Sequence, residues 1–357
     1  MTESRIAPGT LRMFQEYHWL MLRVFYDASQ QTFGDAGVEA VRRGAHAAGY
    51  YRGARMRDRA TSFVHPRNAL SLVEQWDTGE WELAFADSEI RVEGTTSDLI
   101  LELDHAPGHA YFIDLGLSPA MLDIYWPALL AGIAQGYGSN CQASVVDDVP
   151  GKWRVRIVLD DGAAKPAQLV LGAVMGDELS LLEMSRRTSG LIAALQMYVS
   201  RELVRDFDAE GEQVIREASY EFGALRGSVI REKHLREGVP ITLANFASKS
   251  GLQERDPSEA VFVFSDRQHV SEGAYYLDCT FCPLQEVWAH EGAEGLRLGY
   301  LFDASNHRGL FQSYHPETVV RWDSVKTRGD SVCRFRFTVP SLLTSDDPSP
   351  EEFDAIR

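Results

Sequence analysis

An internal repeat constrains this chain more than any other sequence feature. Identical residues recur 174 positions apart, without a gap, on two stretches with a helical pattern. The matched pairs are Phe33/Phe207, Gly37/Gly211, Arg42/Arg216, Gly49/Gly223, Arg52/Arg226 and Gly53/Gly227. The pattern predicts one amphipathic helix used twice, over residues 35–57 and 208–233. Each glycine inside a helix costs ~1 kcal/mol against alanine, so we expect another backbone to pack closely against each Gly-x-x-x-Gly.

The repeat continues downstream at slightly different offsets. Residues 111–119 and 275–283 share an aromatic pair, an aspartate and a final proline, and Ser118 stands where the second copy has Cys282. A closing strand recurs as well, at residues 153–157 and 333–337. Three blocks in the same order indicate a duplication.

Each half therefore reads as a long helix, strands, a strand-turn-helix and closing strands. The pattern predicts an α+β protein of two tandem related domains, each with a long helix and a mostly antiparallel sheet. We place the first repeat at residues 1–180, the second at 181–344, and an acidic, poorly ordered tail at 345–357. The predicted strands lie near 69–76, 81–85, 88–92, 109–115, 144–146 and 153–159, then near 260–265, 273–281, 318–325 and 333–339.

Charge and composition exclude several classes of partner. The 357 residues carry a formal charge of −17, which argues against nucleic acid or an anionic membrane as the main partner. No apolar run approaches a membrane span, and the first residues lack a signal-peptide layout, so we expect a cytoplasmic, bacterial-type protein. Four scattered cysteines do not form a disulfide framework. The expected partner is a small-molecule ligand or substrate, with a homodimer left open and no cofactor.

Cys282 lies where a predicted strand meets a predicted helix. Pro283 suits the first helical position, which makes Cys282 the N-cap residue. A thiol there faces unpaired backbone N–H groups and the positive end of the helix dipole, which can lower its pKa. This is a credible position for a nucleophile. The alternative is a half-buried cap, since Ser118 takes the same place in the first copy and serine is a preferred N-cap.

The second half resembles the L-2-amino-thiazoline-4-carboxylic acid hydrolase-like family over about residues 191–339. The resemblance is carried by the glycine-containing helix and by Cys282-Pro283, Glu286, Asp303, Tyr314-x-Pro316 and Gly329-Asp330-x-x-Cys333-x-Phe335. It implies thiol-assisted hydrolysis of a C–N bond in a small heterocycle or carbamoyl compound. The sequence departs from the family pattern at Tyr300, where a cysteine is usual, and at His315, where an asparagine is usual.

The first half resembles vinyl-reductase-type small-molecule-binding domains. The helix over residues 125–136, followed by Gly136-Tyr137-Gly138 and two strands, carries this resemblance. It implies a structural or ligand-binding role, because this half repeats the strand-turn-helix without a thiol.

A cysteine nucleophile needs a base and a group that orients it. His307 and His315 fall in a predicted loop after the last long helix, and His315 is the preferred base, with Asp303 or Asp278 in support. We expect Tyr276, Glu286 and Tyr314 to contact the substrate.

A zinc site on the closing hairpin is the competing interpretation for the second half. In vinyl-reductase-type domains, which the chain resembles, the closing hairpin can carry zinc through cysteines and an acid. Asp323 and Cys333 match two of these positions, but Lys326 stands where that resemblance implies another cysteine, and zinc normally takes four ligands. No metal is therefore expected. Two functions remain from the sequence: a cysteine-assisted hydrolase, and a non-catalytic small-molecule sensor built from two related domains.

Overall fold

The computed structural model describes residues 8–62, 67–76, 91–107, 109–111, 115–146, 149, 152–159, 165–167, 181–248, 251 and 261–355. The chain divides into two compact units, Phe14–Asp206 and Phe207–Arg357 with Met1–Met13. The boundary between the two units, at Asp206 and Phe207, falls inside a long helix, whereas the sequence predicts that the second repeat begins at residue 181. No helix among the described residues is both long enough and apolar enough to cross a membrane.

The first unit combines helices with one antiparallel sheet. Its helices are α1 (Pro8–Phe33), α2 (Asp35–Ser62), α3 (Ala69–Glu74) and α4 (Pro119–Tyr137). Its strands are β1 (Arg91–Gly94), β2 (Asp98–Leu103), β3 (Cys141–Val146) and β4 (Trp153–Leu159), in the sheet order β1-β2-β4-β3. Helix α5 (Leu181–Glu237) begins in this unit and continues into the second.

The second unit repeats the same sheet. After α5 and the short α6 (Leu243–Ala247) come β5 (Val263–Val270), β6 (Ala274–Phe281), α7 (Pro283–His290), α8 (Gly292–Tyr314), β7 (Val319–Ser324), β8 (Cys333–Thr338) and α9 (Pro350–Ala355). The strand order is β5-β6-β8-β7, and each neighbouring pair is antiparallel. Two sheets with one topology confirm the α+β class and are consistent with the duplication.

Glycines let two helices touch backbone to backbone in each unit. A Cβ at Gly223 of α5 would lie 2.0 Å from the carbonyl oxygen of Asn306 in α8, and one at Gly309 would lie 2.0 Å from the carbonyl oxygen of Tyr220. In the first unit, a Cβ at Gly49 of α2 would lie 2.2 Å from the carbonyl oxygen of Leu129 in α4. The predicted close approach is therefore confirmed in both copies.

The backbone turns sharply at one repeated position. Gly34 separates α1 from α2 with φ 58°, and Asp208, 174 residues later, interrupts α5 with φ 47° and ψ −121°. Only glycine adopts this region without strain, so the second copy keeps the turn at a cost. The first part of α5 is thus the counterpart of α1.

Several predicted elements differ from the structure. Residues 69–74 form helix α3 rather than a strand, because Asn68 and Ser71 make a reciprocal capping box. Residues 109–111 form a 3-10 turn, and the strand predicted at 81–85 lies outside the described residues. The helix after Cys282 breaks at Gly292 (φ 70°) and resumes as α8.

The C-terminal segment folds onto the second sheet instead of forming a poorly ordered tail. Phe353 of α9 is buried, and Arg336 of β8, fully buried, pairs with Asp354 and stacks 4.9 Å from the Phe353 ring. His269 lies 2.9 Å from Asp347. Burial opposes ionisation of Asp347, but hydrogen bonds from Ser271, Thr344 and His269 prevail and lower its pKa to about 2. Acidic composition alone suggested disorder, whereas these partners order the segment.

We expect Gly223→Ala to lower the free energy of unfolding by about 1–3 kcal/mol, since the new methyl group would overlap the backbone of α8 by more than the helix can absorb. The gain in helix propensity, ~1 kcal/mol, is too small to offset this. Calorimetric unfolding of the full chain measures the change. Glu221→Ala, at an exposed position of the same helix, is the matched control, and equal stability of both variants would contradict the contact.

Exchanging the residues at the repeated turn should have opposite effects in the two copies. Asp208→Gly should stabilise the chain by about 1 kcal/mol because it removes the strain at positive φ, and Gly34→Asp should destabilise it by a similar amount. No other atom lies within 4 Å of a Cβ at Gly34, so its effect reports the backbone conformation alone. The same calorimetric experiment decides, and a stabilising Gly34→Asp would refute the assignment.

Candidate functional site

Cys282 occupies the turn between β6 and α7, as predicted. It is the N-cap residue of α7, with extended backbone (φ −133°, ψ 115°), and Pro283 is the first helical residue. Its side chain packs in the core of the second unit with Cys279 and Cys333, and the residue is only 8% exposed. The sulfur forms no capping hydrogen bond.

The environment of Cys282 keeps its thiol protonated. Burial raises its pKa well above the ordinary value, and the negative charge of Asp303 raises it further, while the backbone N–H of Gln285 opposes this only weakly. The lowered pKa expected from the helix N-terminus is therefore wrong. Removal of the thiolate from water outweighs the helix dipole at this position.

Two further thiols adjoin Cys282. Cys279 of β6 and Cys333 of β8 are directly opposite each other in the sheet register. Burial raises the pKa of each to about 12, and the charge of Asp303 contributes to both shifts. We call Cys279, Cys282, Cys333 and Asp303 the thiol cluster.

Cys279 and Cys333 are held by the backbone around them. The Cys279 thiol donates to the carbonyl oxygen of Phe281 at 3.1 Å. The Cys333 sulfur accepts from the backbone N–H of Lys326 at 3.3 Å. Both are thus engaged by structural contacts, which leaves Cys282, at the turn, as the thiol best placed for chemistry.

Asp303 connects the thiol cluster to a histidine one helical turn further along α8. His307 Nδ1 lies 3.3 Å from Asp303 Oδ1 and 2.7 Å from the Asp303 carbonyl oxygen. Because a carbonyl oxygen only accepts, Nδ1 is the donor in this contact, and in the neutral form of the ring the lone pair is on Nε2. The His307 ring packs 4.8 Å from Phe335 and 5.1 Å from Trp322, which fixes its orientation. The pair can therefore act as an oriented general base.

The structure places Asp278 and Tyr276 away from the thiol cluster. Asp278 forms an ion pair with Arg336 at 2.8 Å, and the Tyr276 hydroxyl donates to the carbonyl oxygen of Pro348 at 3.1 Å. Strand alternation accounts for this, since Tyr276 and Asp278 face the side of the sheet covered by α9, opposite to Cys279. Support from Asp278 for Cys282 is thus excluded by position.

His315, Tyr314 and Glu286 are not brought to the cluster either. His315 ends α8 and lies twelve residues after Asp303, ~18 Å along the helix axis. Tyr314 is buried and its hydroxyl lies 2.8 Å from His234 Nδ1. Glu286 is exposed on α7. The expected loop is helical, and the i, i+4 spacing of Asp303 and His307 was the signal that could have identified the pair.

At the positions equivalent to Cys282, Asp303 and His307, the sequence of the first copy has no thiol, carboxylate or imidazole. Ser118 caps α4 and accepts from the backbone N–H of Met121 at 3.1 Å. Gly132 and Gly309 make equivalent contacts, so they align the sequence of α4 with that of α8. In this alignment Trp126 is the equivalent of Asp303, and Leu130 is the equivalent of His307. The aspartate of the first strand-turn, Asp114, lies outside the described residues. Thiol, carboxylate and imidazole therefore distinguish the second copy.

Comparison with known families gives one result. Residues 188–337 match the family model of L-2-amino-thiazoline-4-carboxylic acid hydrolase. The resemblance of the second half is thereby confirmed, and the match covers the thiol cluster and His307. No curated protein and no solved structure matches the chain. The resemblance of the first half to vinyl-reductase-type domains stays a prediction.

The described residues contain no group of three or more His, Cys, Asp or Glu side chains arranged to hold a metal ion. Cys333 and Asp323, the two zinc positions considered from the sequence, point to different faces of the sheet. Cys333 lies in the core, and Asp323 is paired with the exposed Arg321 at 2.8 Å.

Asp303→Asn should make the cluster thiols more reactive. Removing the negative charge lowers their pKa values, so a larger thiolate fraction is present at any given pH and modification becomes several-fold faster. The measurement is the pH–rate profile for a small thiosulfonate reagent, mapped by mass spectrometry. Asp323→Asn, on the opposite sheet face, is the matched control. A profile for Cys282 that is the same in wild type and Asp303→Asn would show that Asp303 does not act on this thiol.

Proposed function

We propose that the second half hydrolyses a C–N bond in a small nitrogen-containing heterocycle or carbamoyl-type compound, with Cys282 as nucleophile. The observation that carries this proposal is that Asp303 acts electrostatically on Cys282 and also pairs with His307, inside the segment that matches a hydrolase family. The family name identifies a thiazoline ring with an amino group and a carboxylate, so the proposed substrate class is a small amidine-like heterocycle.

His307 is the proposed base, in place of His315. The thiol is protonated at rest, so its proton has to leave as the sulfur attacks. The Nε2 lone pair of His307 accepts this proton, and Asp303 stabilises the imidazolium that forms. The first backbone N–H groups of α7, which begins directly after Cys282, are donors for negative charge that develops on the substrate.

The proposed reaction has two stages, in each of which the bonds formed and broken are accounted for. The Cys282 sulfur bonds to the ring carbon that lies between heteroatoms while its proton passes to His307, and the C=N electrons move to nitrogen, which takes this proton from His307. The lone pair of the amino nitrogen on the same carbon then forms a C=N bond as the ring C–N bond breaks, and the proton that this amino group loses passes through His307 to the leaving nitrogen. Water then loses a proton to His307 and adds to the sulfur-bound carbon. The S–C bond breaks and the thiol recovers its proton, so no external oxidant or reductant is needed.

The competing proposal is a non-catalytic binding protein. It is favoured by the deep burial of Cys282 and its raised pKa, which are typical of structural cysteines. In this case Cys282 would be only a cap with a packing role, as Ser118 is in the first copy. The two proposals differ in what removal of the sulfur does to turnover.

We expect the wild-type protein to hydrolyse L-2-amino-thiazoline-4-carboxylate and the variants Cys282→Ser, His307→Gln and Asp303→Asn to lose activity. Each of these variants should lower kcat by roughly 10²–10⁴-fold. Cys282→Ser removes the sulfur that attacks the carbon, and the other two variants impair the acceptor of its proton. Product formation followed by chromatography measures this. His315→Gln is the matched control and should stay within about threefold of wild type.

Two results would exclude the proposed mechanism. Full activity of Cys282→Ser would show that Cys282 is not the nucleophile. Loss of activity in His315→Gln, together with full activity in His307→Gln, would show that the base is His315, as predicted from the sequence. Absence of turnover in the wild-type protein, together with saturable binding of the heterocycle, would favour the non-catalytic alternative.

A further inference from the structure

A short turn after β7 forms part of the surroundings of the thiol cluster. The 3-10 turn Lys326–Arg328 packs against α7 and α8. Lys326 donates its backbone N–H to Cys333, and its ammonium group donates to the carbonyl oxygen of Thr280 at 2.9 Å. The positive charge of Lys326 acts on Cys279 and Cys333. This turn thus brings cations to the site that holds the proposed nucleophile.

Arg328 has the features of a ligand-binding arginine. Its guanidinium carbon lies 4.3 Å from the centre of the Tyr300 ring, and the residue is exposed. Among the described residues no carboxylate lies within ion-pair distance of it, although the chain has 52 acidic residues against 35 lysines and arginines. A planar guanidinium held flat on an aromatic ring keeps its N–H donors available for a carboxylate.

A row of rings joins Arg328 to the proposed base. Tyr300 stacks on Trp322 with ring centres 6.3 Å apart, and Trp322 lies 5.1 Å from His307. Arg328, Tyr300, Trp322 and His307 are therefore successive neighbours, with the exposed Arg328 at one end and the Asp303–His307 pair at the other. A heterocycle bound along this row would have its anionic group at the Arg328 end.

Buried polar atoms without partners mark the same elements. Thr327 is 6% exposed and its Oγ1 has no hydrogen-bond partner, and the same holds for the Nε1 atom of Trp322. Gln285, whose backbone N–H opposes the pKa rise of Cys282, leaves its Oε1 atom buried and unpaired. Buried polar groups are normally satisfied, so these three atoms are available to hydrogen-bond a ligand bound at α7, β7 and the turn.

We propose that Arg328 binds the carboxylate of the substrate and sets the specificity of the site for anionic heterocycles, with Tyr300 as the residue that positions it. This inference rests on the proposed function, because it concerns the substrate of the same site. The guanidinium fork and a carboxylate form two parallel N–H···O hydrogen bonds, which a neutral amide cannot reproduce.

The experiment compares two substrates that differ only in charge. L-2-amino-thiazoline-4-carboxylate and its carboxamide are assayed with wild type, Arg328→Gln and the control Arg308→Gln, which changes an exposed arginine on α8. Arg328→Gln should lower kcat/KM for the carboxylate by roughly 10–100-fold, mainly through KM, and should leave the carboxamide within about twofold. Arg308→Gln should leave both values unchanged.

Tyr300 variants test the positioning role. Tyr300→Leu removes the ring under the guanidinium and should raise KM for the carboxylate in the same direction as Arg328→Gln, whereas Tyr300→Phe keeps the ring and should behave as wild type. Equal losses for both substrates, in either Arg328→Gln or Tyr300→Leu, would overturn the inference, as would an unchanged preference for the carboxylate.

Calorimetric titration separates this inference from the proposed function. If wild type turns over neither compound, the proposed hydrolysis fails, but binding can still be compared. Tighter binding of the carboxylate than of the carboxamide, abolished by Arg328→Gln, supports the anion site without catalysis. Equal affinity for the two compounds, or no binding of either, overturns it.

Discussion

The contact between α5 and α8 is the constraint on which the rest of the second unit depends. Gly223 and Gly309 allow the two backbones to meet, and Arg226 adds a hydrogen bond to the Asn306 side chain at 3.1 Å. A helix fixed this closely cannot rotate, so its opposite side must face the sheet. That side presents His307 to Phe335 and Phe311 to Phe337, whose rings stack 3.5 Å apart. The orientation of Asp303 and His307 is thus a consequence of side chains missing at the helix contact, at Gly309 on the other face of α8 and at Gly223 on α5.

The duplication separates what the fold requires from what the site requires. Both copies keep the crossing glycines, the strand order and a helix that starts with proline after the second strand of the sheet. Since a serine caps as well as a cysteine or better, the sulfur at position 282 has no value for capping. In the same comparison, the first copy has Trp126 at the position of Asp303 and Leu130 at the position of His307. Asp303 links the other two, since its charge acts on Cys282 and its carboxylate pairs with His307, and packing alone gives no reason for a half-buried carboxylate beside apolar side chains.

Much of the fold could be predicted from the sequence, because it depends on local sequence patterns. The repeated glycine helix, the strand before Cys282 and Pro283 at the start of α7 each follow from spacing or from one residue's backbone preference. The site could be predicted only in part. Cys282 lies at the predicted turn between strand and helix, and the charge of Asp303 acts on its thiol. Alternation continued to residue 282 predicts that Asp278 shares a face with Cys282, but it does not, because β6 ends at Phe281 and the backbone turns into α7 there. His315 was preferred because α8 was expected to end early, whereas it continues to Tyr314.

The raised pKa of Cys282 decides how a nucleophile can work at this position. The negative charge of Asp303 disfavours a thiolate at Cys282, and the same carboxylate lies 3.3 Å from His307, the proposed base. A thiolate–imidazolium pair at rest would place unbonded negative charge beside Asp303 in a buried site. If the proton moves while sulfur bonds to carbon, however, the negative charge passes to the substrate and does not stay on sulfur. The electrostatics therefore favour attack that is coupled to proton transfer over a preformed thiolate. In this arrangement a buried, neutral thiol is compatible with catalysis, because its charge appears only when a substrate is present to receive it.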